Sequence, residues 1–168
     1  MSASIRHFAL CALLAAPAGA QTCFRACLAS RIAAPDISDQ QIRSQMKTCR
    51  SLCEAEATAA PGLAEKLDAC EPEAVSDADM KRVRAASPGI LAYADAFTWD
   101  VHNVLESRAI RRVEIATQNL ELQEVVLAGS GTVLPGATQT VLVSAFSGGY
   151  PSVAASARVR AIYACPLP

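Results

Sequence analysis

The sequence predicts an α+β protein, in which a disulfide-stapled N-terminal α-hairpin with short helices precedes a small antiparallel β-sandwich. Three observations predict this class. Cysteines occur in two pairs four residues apart, apolar residues of the first half recur at helical spacing, and apolar and polar residues of the second half alternate. We therefore divide the chain into a signal peptide (1–20), a twin Cys-x3-Cys hairpin (21–60), a helical linker (61–96) and a β-sandwich domain (97–168).

The N-terminal segment has the three parts of a secretory signal peptide. Arg6 and His7 form a basic start, an apolar run covers 8–16, and small residues lead up to Ala20. The run is about half of the ~20 residues that a membrane-spanning helix needs, so we expect cleavage after Ala20 rather than an anchor. The mature chain would hold 14 basic and 16 acidic residues, a net charge of −2, which excludes a strongly basic face for nucleic acid.

Two pairs of cysteines, Cys23 with Cys27 and Cys49 with Cys53, have the spacing of one helical turn. Residues four apart lie on the same face of a helix, and apolar residues flank both pairs at helical spacing. The segment 38–41 has the residues of a capping box and predicts the start of the second helix. Because a short connection makes neighbouring helices antiparallel, we predict the disulfides Cys23–Cys53 and Cys27–Cys49. The crossed pairing would need parallel helices.

Cys70 and Cys165 remain once Cys11 leaves with the signal peptide, and we predict that they form the third disulfide. An even number of cysteines in an exported chain is typical of a disulfide framework. Zinc is the alternative ligand for the hairpin cysteines, but structural zinc sites favour Cys-x2-Cys spacing and need thiolates, which an oxidising compartment removes. We therefore predict no metal, no cofactor and a periplasmic or secreted location.

The twin segments Cys-Phe-Arg-Ala-Cys and Cys-Arg-Ser-Leu-Cys resemble the helical hairpins of the small chaperones of the mitochondrial intermembrane space. In those proteins the stapled hairpin escorts apolar segments, so the resemblance implies a surface that binds a partner. Phe24 and Leu28 lie about 100° around the first helix from its cysteines, and Leu52 is offset similarly from Cys53. We predict that these three residues either bind a partner or pack on the sandwich.

The second half of the chain predicts strands. The linker contains a short helical segment over 63–70 and another helix that starts at Ser76, and then Phe97 and Trp99 begin an alternation of apolar and polar residues. Short strands at about 8–12-residue spacing with turn residues between them indicate an antiparallel sandwich, with Trp99 in its core. The run 125–143 is similar to the small immunoglobulin-like modules of exported bacterial proteins.

Few residues suggest catalysis. His102 is the only histidine of the mature chain, and its place on the polar side of a strand indicates a solvated side chain. Two acidic pairs occupy positions that solvation explains: Glu54 with Glu56, and Glu71 with Glu73. Three arginines cluster at the start of a predicted strand, where they form either an anion contact or a charged edge that discourages aggregation: Arg108, Arg111 and Arg112.

These observations predict a non-enzymatic periplasmic interaction protein, an accessory or assembly subunit that binds another envelope or membrane protein. No nucleic acid and no small-molecule substrate are predicted. One alternative is a structural envelope protein without a defined ligand. The other is a thiol–disulfide enzyme, although the Cys-x-x-Cys motif that this chemistry uses is absent from the sequence.

Overall fold

The computed structural model describes residues 21–33, 36–93, 95–147, 150–151 and 153–167. The predicted signal peptide, 1–20, lies outside the described residues. Within the described ranges the chain is α+β, as predicted: helices form its N-terminal part, and two antiparallel sheets follow. None of the described helices is both long enough and apolar enough to cross a membrane.

Hydroxyl side chains start three of the four described helices. The helices are α1 (Cys23–Arg31), α2 (Asp39–Ala57), α3 (Leu63–Asp68) and α4 (Asp77–Ala86). The hydroxyl oxygens of Thr22, Ser38 and Ser76 each accept a backbone N–H of the first turn that has no partner within the helix. The side-chain oxygen of Gln41 in turn accepts the backbone N–H of Ser38, which confirms the predicted capping box.

The strands pair in two sheets and one short ribbon. They are β1 (Glu73–Ala74), β2 (Leu91–Tyr93), β3 (Ala96–His102), β4 (Arg108–Gln118), β5 (Glu124–Val133), β6 (Thr138–Ser144), β7 (Phe146–Ser147), β8 (Tyr150–Pro151) and β9 (Val153–Pro166). One sheet has the order β1-β9-β4-β5, the other β2-β3-β6, and β7 pairs with β8. The predicted helical linker, 61–96, therefore also supplies β1, which pairs with β9, and β2, which pairs with β3.

The two sheets face each other across a common core. Alternate residues of each strand point to the same face, so Phe97, Trp99 and Val101 of β3 meet Ile115 of β4 and Ile162 of β9. The prediction that Trp99 belongs to the sandwich core is confirmed. The indole Nε1 of Trp99 donates a hydrogen bond of 2.8 Å to the carbonyl oxygen of Pro88, so its polar atom is satisfied inside the core.

The edge strands β5 and β6 belong to different sheets and lie close together at Gly129. A methyl group at Gly129 would lie 2.2 Å from the carbonyl oxygen of Leu142 and 2.5 Å from Cγ2 of Val143. Two residues further along β5, a methyl group at Gly131 would lie 3.6 Å from Cγ2 of Val141, an ordinary contact distance. The corner between the sheets therefore depends on a residue without a side chain at Gly129.

Three disulfides join the described part of the chain, and each has one of the predicted pairings. They are Cys23–Cys53, Cys27–Cys49 and Cys70–Cys165. The first two link α1 to α2 and confirm the antiparallel hairpin. The third links the segment after α3 to β9. Disulfides persist where thiols are not kept reduced, so the three bonds indicate an oxidising, extracytoplasmic location.

The hairpin packs on the outer face of the three-stranded sheet. Phe24 is 1% exposed and Leu28 is 8% exposed, and with Met46 they cover Ala96 and Leu142 of that sheet. Of the two alternatives for Phe24 and Leu28, the structure shows the one in which both side chains pack on the sandwich. The physical reason is that the sheet has an apolar patch on its outer face, which these side chains remove from water.

Candidate functional site: a basic groove between the hairpin and the sandwich

Polar contacts fix the start of α1 on β3 and β6. The Arg25 guanidinium donates to the Asp100 carboxylate at 2.6 Å and to the Thr98 hydroxyl at 3.4 Å. The Thr140 hydroxyl donates to the other carboxylate oxygen of Asp100 at 2.6 Å and also lies 2.6 Å from the Thr22 hydroxyl. Because these groups pair with one another as they leave water, the hairpin sits on the sheet in one orientation.

A second polar cluster holds the end of α2, which lies beside the start of α1 in the hairpin. The Glu54 carboxylate accepts the Thr132 backbone N–H at 2.8 Å, and it also bonds the Thr132 hydroxyl. The Arg111 guanidinium lies 3.3 Å from Glu54 and 3.1 Å from Asp68. Glu54, which the sequence suggested was merely solvated, therefore connects α2 to β4 and β5.

Between α2 and the edge of the three-stranded sheet the hairpin leaves an open groove of about 320 Å³. Its lining comes from α2, from the turn before β3 and from β6: Arg43, Met46, Lys47, Arg50, Asp95, Ala96, Leu142 and Ser144. The floor is apolar, since Met46, Ala96 and Leu142 belong to the cluster that the hairpin covers. The rim on α2 is basic. We call this feature the basic groove.

The rim of the basic groove carries more positive than negative charge. Arg43, Lys47 and Arg50 are spaced four and three residues apart, so they share one flank of α2. Arg43 forms an ion pair with Asp95, and Arg50 donates to the Ser130 hydroxyl at 2.6 Å. Within the described residues the Lys47 ammonium has no recorded hydrogen bond or ion pair. Three cations therefore face one carboxylate, and one of the cations is available to a ligand.

The lining of the basic groove suits binding. Its charged groups, two guanidiniums and an ammonium, attract carboxylates, and its floor can bury an apolar side chain. Its lining contains neither histidine nor cysteine. In the described part of the chain no cluster of three or more acidic, histidine or cysteine side chains could hold a metal ion. The chemistry of the groove therefore favours a ligand that is acidic and partly apolar.

The structure separates the three arginines that cluster in the sequence. Arg108 donates to backbone carbonyls of β1 and β9, and Arg111 belongs to the Glu54 cluster. Arg112 lies 4.2 Å from the centre of the Tyr163 ring and pairs with Glu114, whose carboxylate raises the pKa of Arg112. Because each guanidinium already has a partner in the protein, the cluster does not form one anion site.

The remaining sequence candidates lie away from the basic groove. His102 is partly exposed on β3, and its Nδ1 lies 2.9 Å from the Thr138 hydroxyl. Leu52 is 50% exposed, but its position on α2 is about 160° around the axis from Arg50. The groove itself was not predicted from the sequence. The spacing of Arg43, Lys47 and Arg50 was a usable signal for one charged flank of α2, but not for the surface that this flank faces.

Comparison with known proteins does not assign the chain. No protein-family model matches it, and no curated protein or solved structure matches it either.

Proposed function

We propose that this protein is a non-enzymatic interaction protein of the periplasm, an accessory or assembly subunit that binds another envelope protein through the basic groove. The observation that carries the proposal is an apolar floor beneath a rim of three cations, of which Lys47 has no recorded partner among the described residues. The secretory features of 1–20, the three disulfides and the immunoglobulin-like resemblance of 125–143 support an exported protein.

The position of the groove supports a docking role. It lies between the hairpin and the sandwich. Two disulfides join the two helices of the hairpin, and the Arg25 and Glu54 contacts hold the hairpin on the sheets. A rigid site loses little conformational entropy when a ligand binds, so a modest contact area can give useful affinity. The rim charges would speed the approach of an acidic segment, and this effect weakens as salt is added.

The burial of the disulfides favours binding over thiol–disulfide catalysis. A catalytic cysteine needs an accessible, low-pKa sulfur. Cys49, Cys53 and Cys165 are all buried, so each of the three disulfides has at least one sulfur-bearing residue shielded from an attacking thiolate. The burial of these cysteines supports a structural rather than a catalytic role for the three disulfides.

Site-specific photocrosslinking in the native envelope tests the proposed function. A photoreactive residue in place of Ser51, which is exposed beside Lys47 and Arg50, keeps all three rim cations. We expect it to crosslink one defined envelope protein, and the added substitution Lys47→Glu should abolish the product. A photoreactive residue in place of Ala85, exposed on α4, is the matched control. The same products at both positions, or no product at either, would favour a structural envelope protein without a defined ligand.

A further inference from the structure

The turn between β4 and β5 presents two leucines to solvent. Leu120 is 62% exposed and Leu122 is 70% exposed, the largest values among the exposed large apolar residues described. The turn is well ordered by hydrogen bonds: Oδ1 of Asn119 accepts the backbone N–H of Glu121 at 3.0 Å and that of Gln123 at 2.9 Å. The backbone N–H of Asn119 also donates to the carbonyl oxygen of Gln123. We call residues 119–123 the leucine tip.

The leucine tip carries one unpaired acid. Glu121, between the two leucines, is exposed and has no recorded side-chain partner in the part of the chain that the structure describes. Glu124 follows the tip, and the Arg158 guanidinium, 2.6 Å away, holds the pKa of its carboxyl below the usual value. Because the positive charge of Arg158 neutralises the neighbouring Glu124, the uncompensated negative charge at the tip is that of Glu121.

The leucine tip and the basic groove are chemically complementary. The groove has an apolar floor and the Lys47 ammonium, and the tip has two exposed leucines and the Glu121 carboxylate; neither charged group has a partner among the described residues. We propose that the basic groove of one copy of this chain receives the leucine tip of a second copy. The inference rests on the proposed function, since it takes the basic groove as the docking surface, and it concerns the purified chain, in which the envelope partner is absent and a second copy occupies the groove.

The topology places the tip and the groove at the same end of the sandwich. Gly129 of β5 lies beside Leu142 of β6, and Gly131 lies beside Val141, so the two strands run in opposite directions. Ser144, which lines the groove at the end of β6, is therefore beside the first half of β5, which directly follows the tip. A two-fold axis at this end can bring each tip to the groove of the other copy, which closes a symmetric dimer.

Sedimentation equilibrium of charge-reversal variants tests the inference. We expect the wild-type chain to form dimers that dissociate as salt is added. Glu121→Lys and Lys47→Glu should each weaken dimerisation about tenfold or more, because both contacts of the dimer become repulsive. An equal mixture of the two variants should dimerise again, since the mixed dimer has one native pair and one reversed pair. Glu106→Lys and Lys81→Glu, exposed elsewhere, are the controls and should behave as wild type.

Several outcomes would overturn the inference. The inference is overturned if the wild-type chain stays monomeric at the highest soluble concentration. It is also overturned if both charge-reversal variants still form dimers. Single variants that are monomeric but do not recover in the mixture would show that Glu121 and Lys47 do not pair. A monomeric chain whose Ser51 probe captures another envelope protein keeps the proposed function and overturns only this inference. A dimeric chain whose Ser51 probe captures only a second copy keeps this inference and overturns the proposed function.

Discussion

Gly129 sets the distance between two strands that belong to different sheets. We expect Gly129→Ala to lower the free energy of unfolding by about 2–3 kcal/mol, because the new methyl group would lie 2.2 Å from the Leu142 carbonyl oxygen and the backbone would have to move. Gly131→Ala is the matched control, since its methyl group would lie 3.6 Å from Val141. Urea denaturation of both variants measures the difference. Equal effects would show that the corner adapts freely.

Leu122 has a backbone conformation that is unfavourable for leucine. Its φ is 61°, in the left-handed region, where an L side chain costs about 1–2 kcal/mol. We expect Leu122→Gly to raise the free energy of unfolding by about 0.5–1 kcal/mol after the entropy cost of glycine, while it weakens dimerisation. Leu120→Ser is the control for stability only, because it removes an exposed leucine without a change at a left-handed position; as a residue of the leucine tip it should also weaken dimerisation. Thermal melting and sedimentation of both variants check this; a less stable Leu122→Gly protein would contradict it.

At the scale of one element, the buried face of the hairpin packs on the sheet, and its disulfides join its two helices. We expect Phe24→Ala to lower the free energy of unfolding by about 3–4 kcal/mol, because the side chain is 1% exposed against the sheet and its removal leaves a cavity. Leu52→Ala, at a position that is 50% exposed, should change it by less than about 0.5 kcal/mol. Guanidinium denaturation of the oxidised proteins measures both. A small effect of Phe24→Ala would mean that the polar contacts alone dock the hairpin on the sheet.

At the scale of the whole molecule, the disulfide Cys70–Cys165 closes the longest loop. Its cysteines are 95 residues apart, so the chain-entropy model assigns it about 4–5 kcal/mol. Cys27–Cys49 spans 22 residues inside the loop that Cys23–Cys53 already closes, so its loss should cost less. We expect replacement of Cys70 and Cys165 by alanine to shift the urea midpoint of unfolding further than replacement of Cys27 and Cys49. The reverse order would contradict this ranking.

The sequence by itself determined the features that depend on neighbours along the chain. The capping residues Ser38 and Ser76 predicted where α2 and α4 begin, because a cap needs only a side chain and the next few backbone N–H groups. The i, i+4 spacing of the cysteines and the short connection predicted the hairpin disulfides. Alternation of apolar and polar residues predicted that Trp99 lies in the core of a sandwich.

Only the tertiary structure decided which surfaces are buried and which remain open. Phe24 has the same helical position whether it faces solvent or a sheet, so its burial on the sandwich had no local signal. The rim of the basic groove is completed by contacts between residues far apart in the chain: Arg43 reaches Asp95 across 52 positions, and Arg50 reaches Ser130 across 80. Spacing along a helix identifies a charged flank, but the groove exists because a β-sheet lies opposite that flank, and chain folding alone brings the two together.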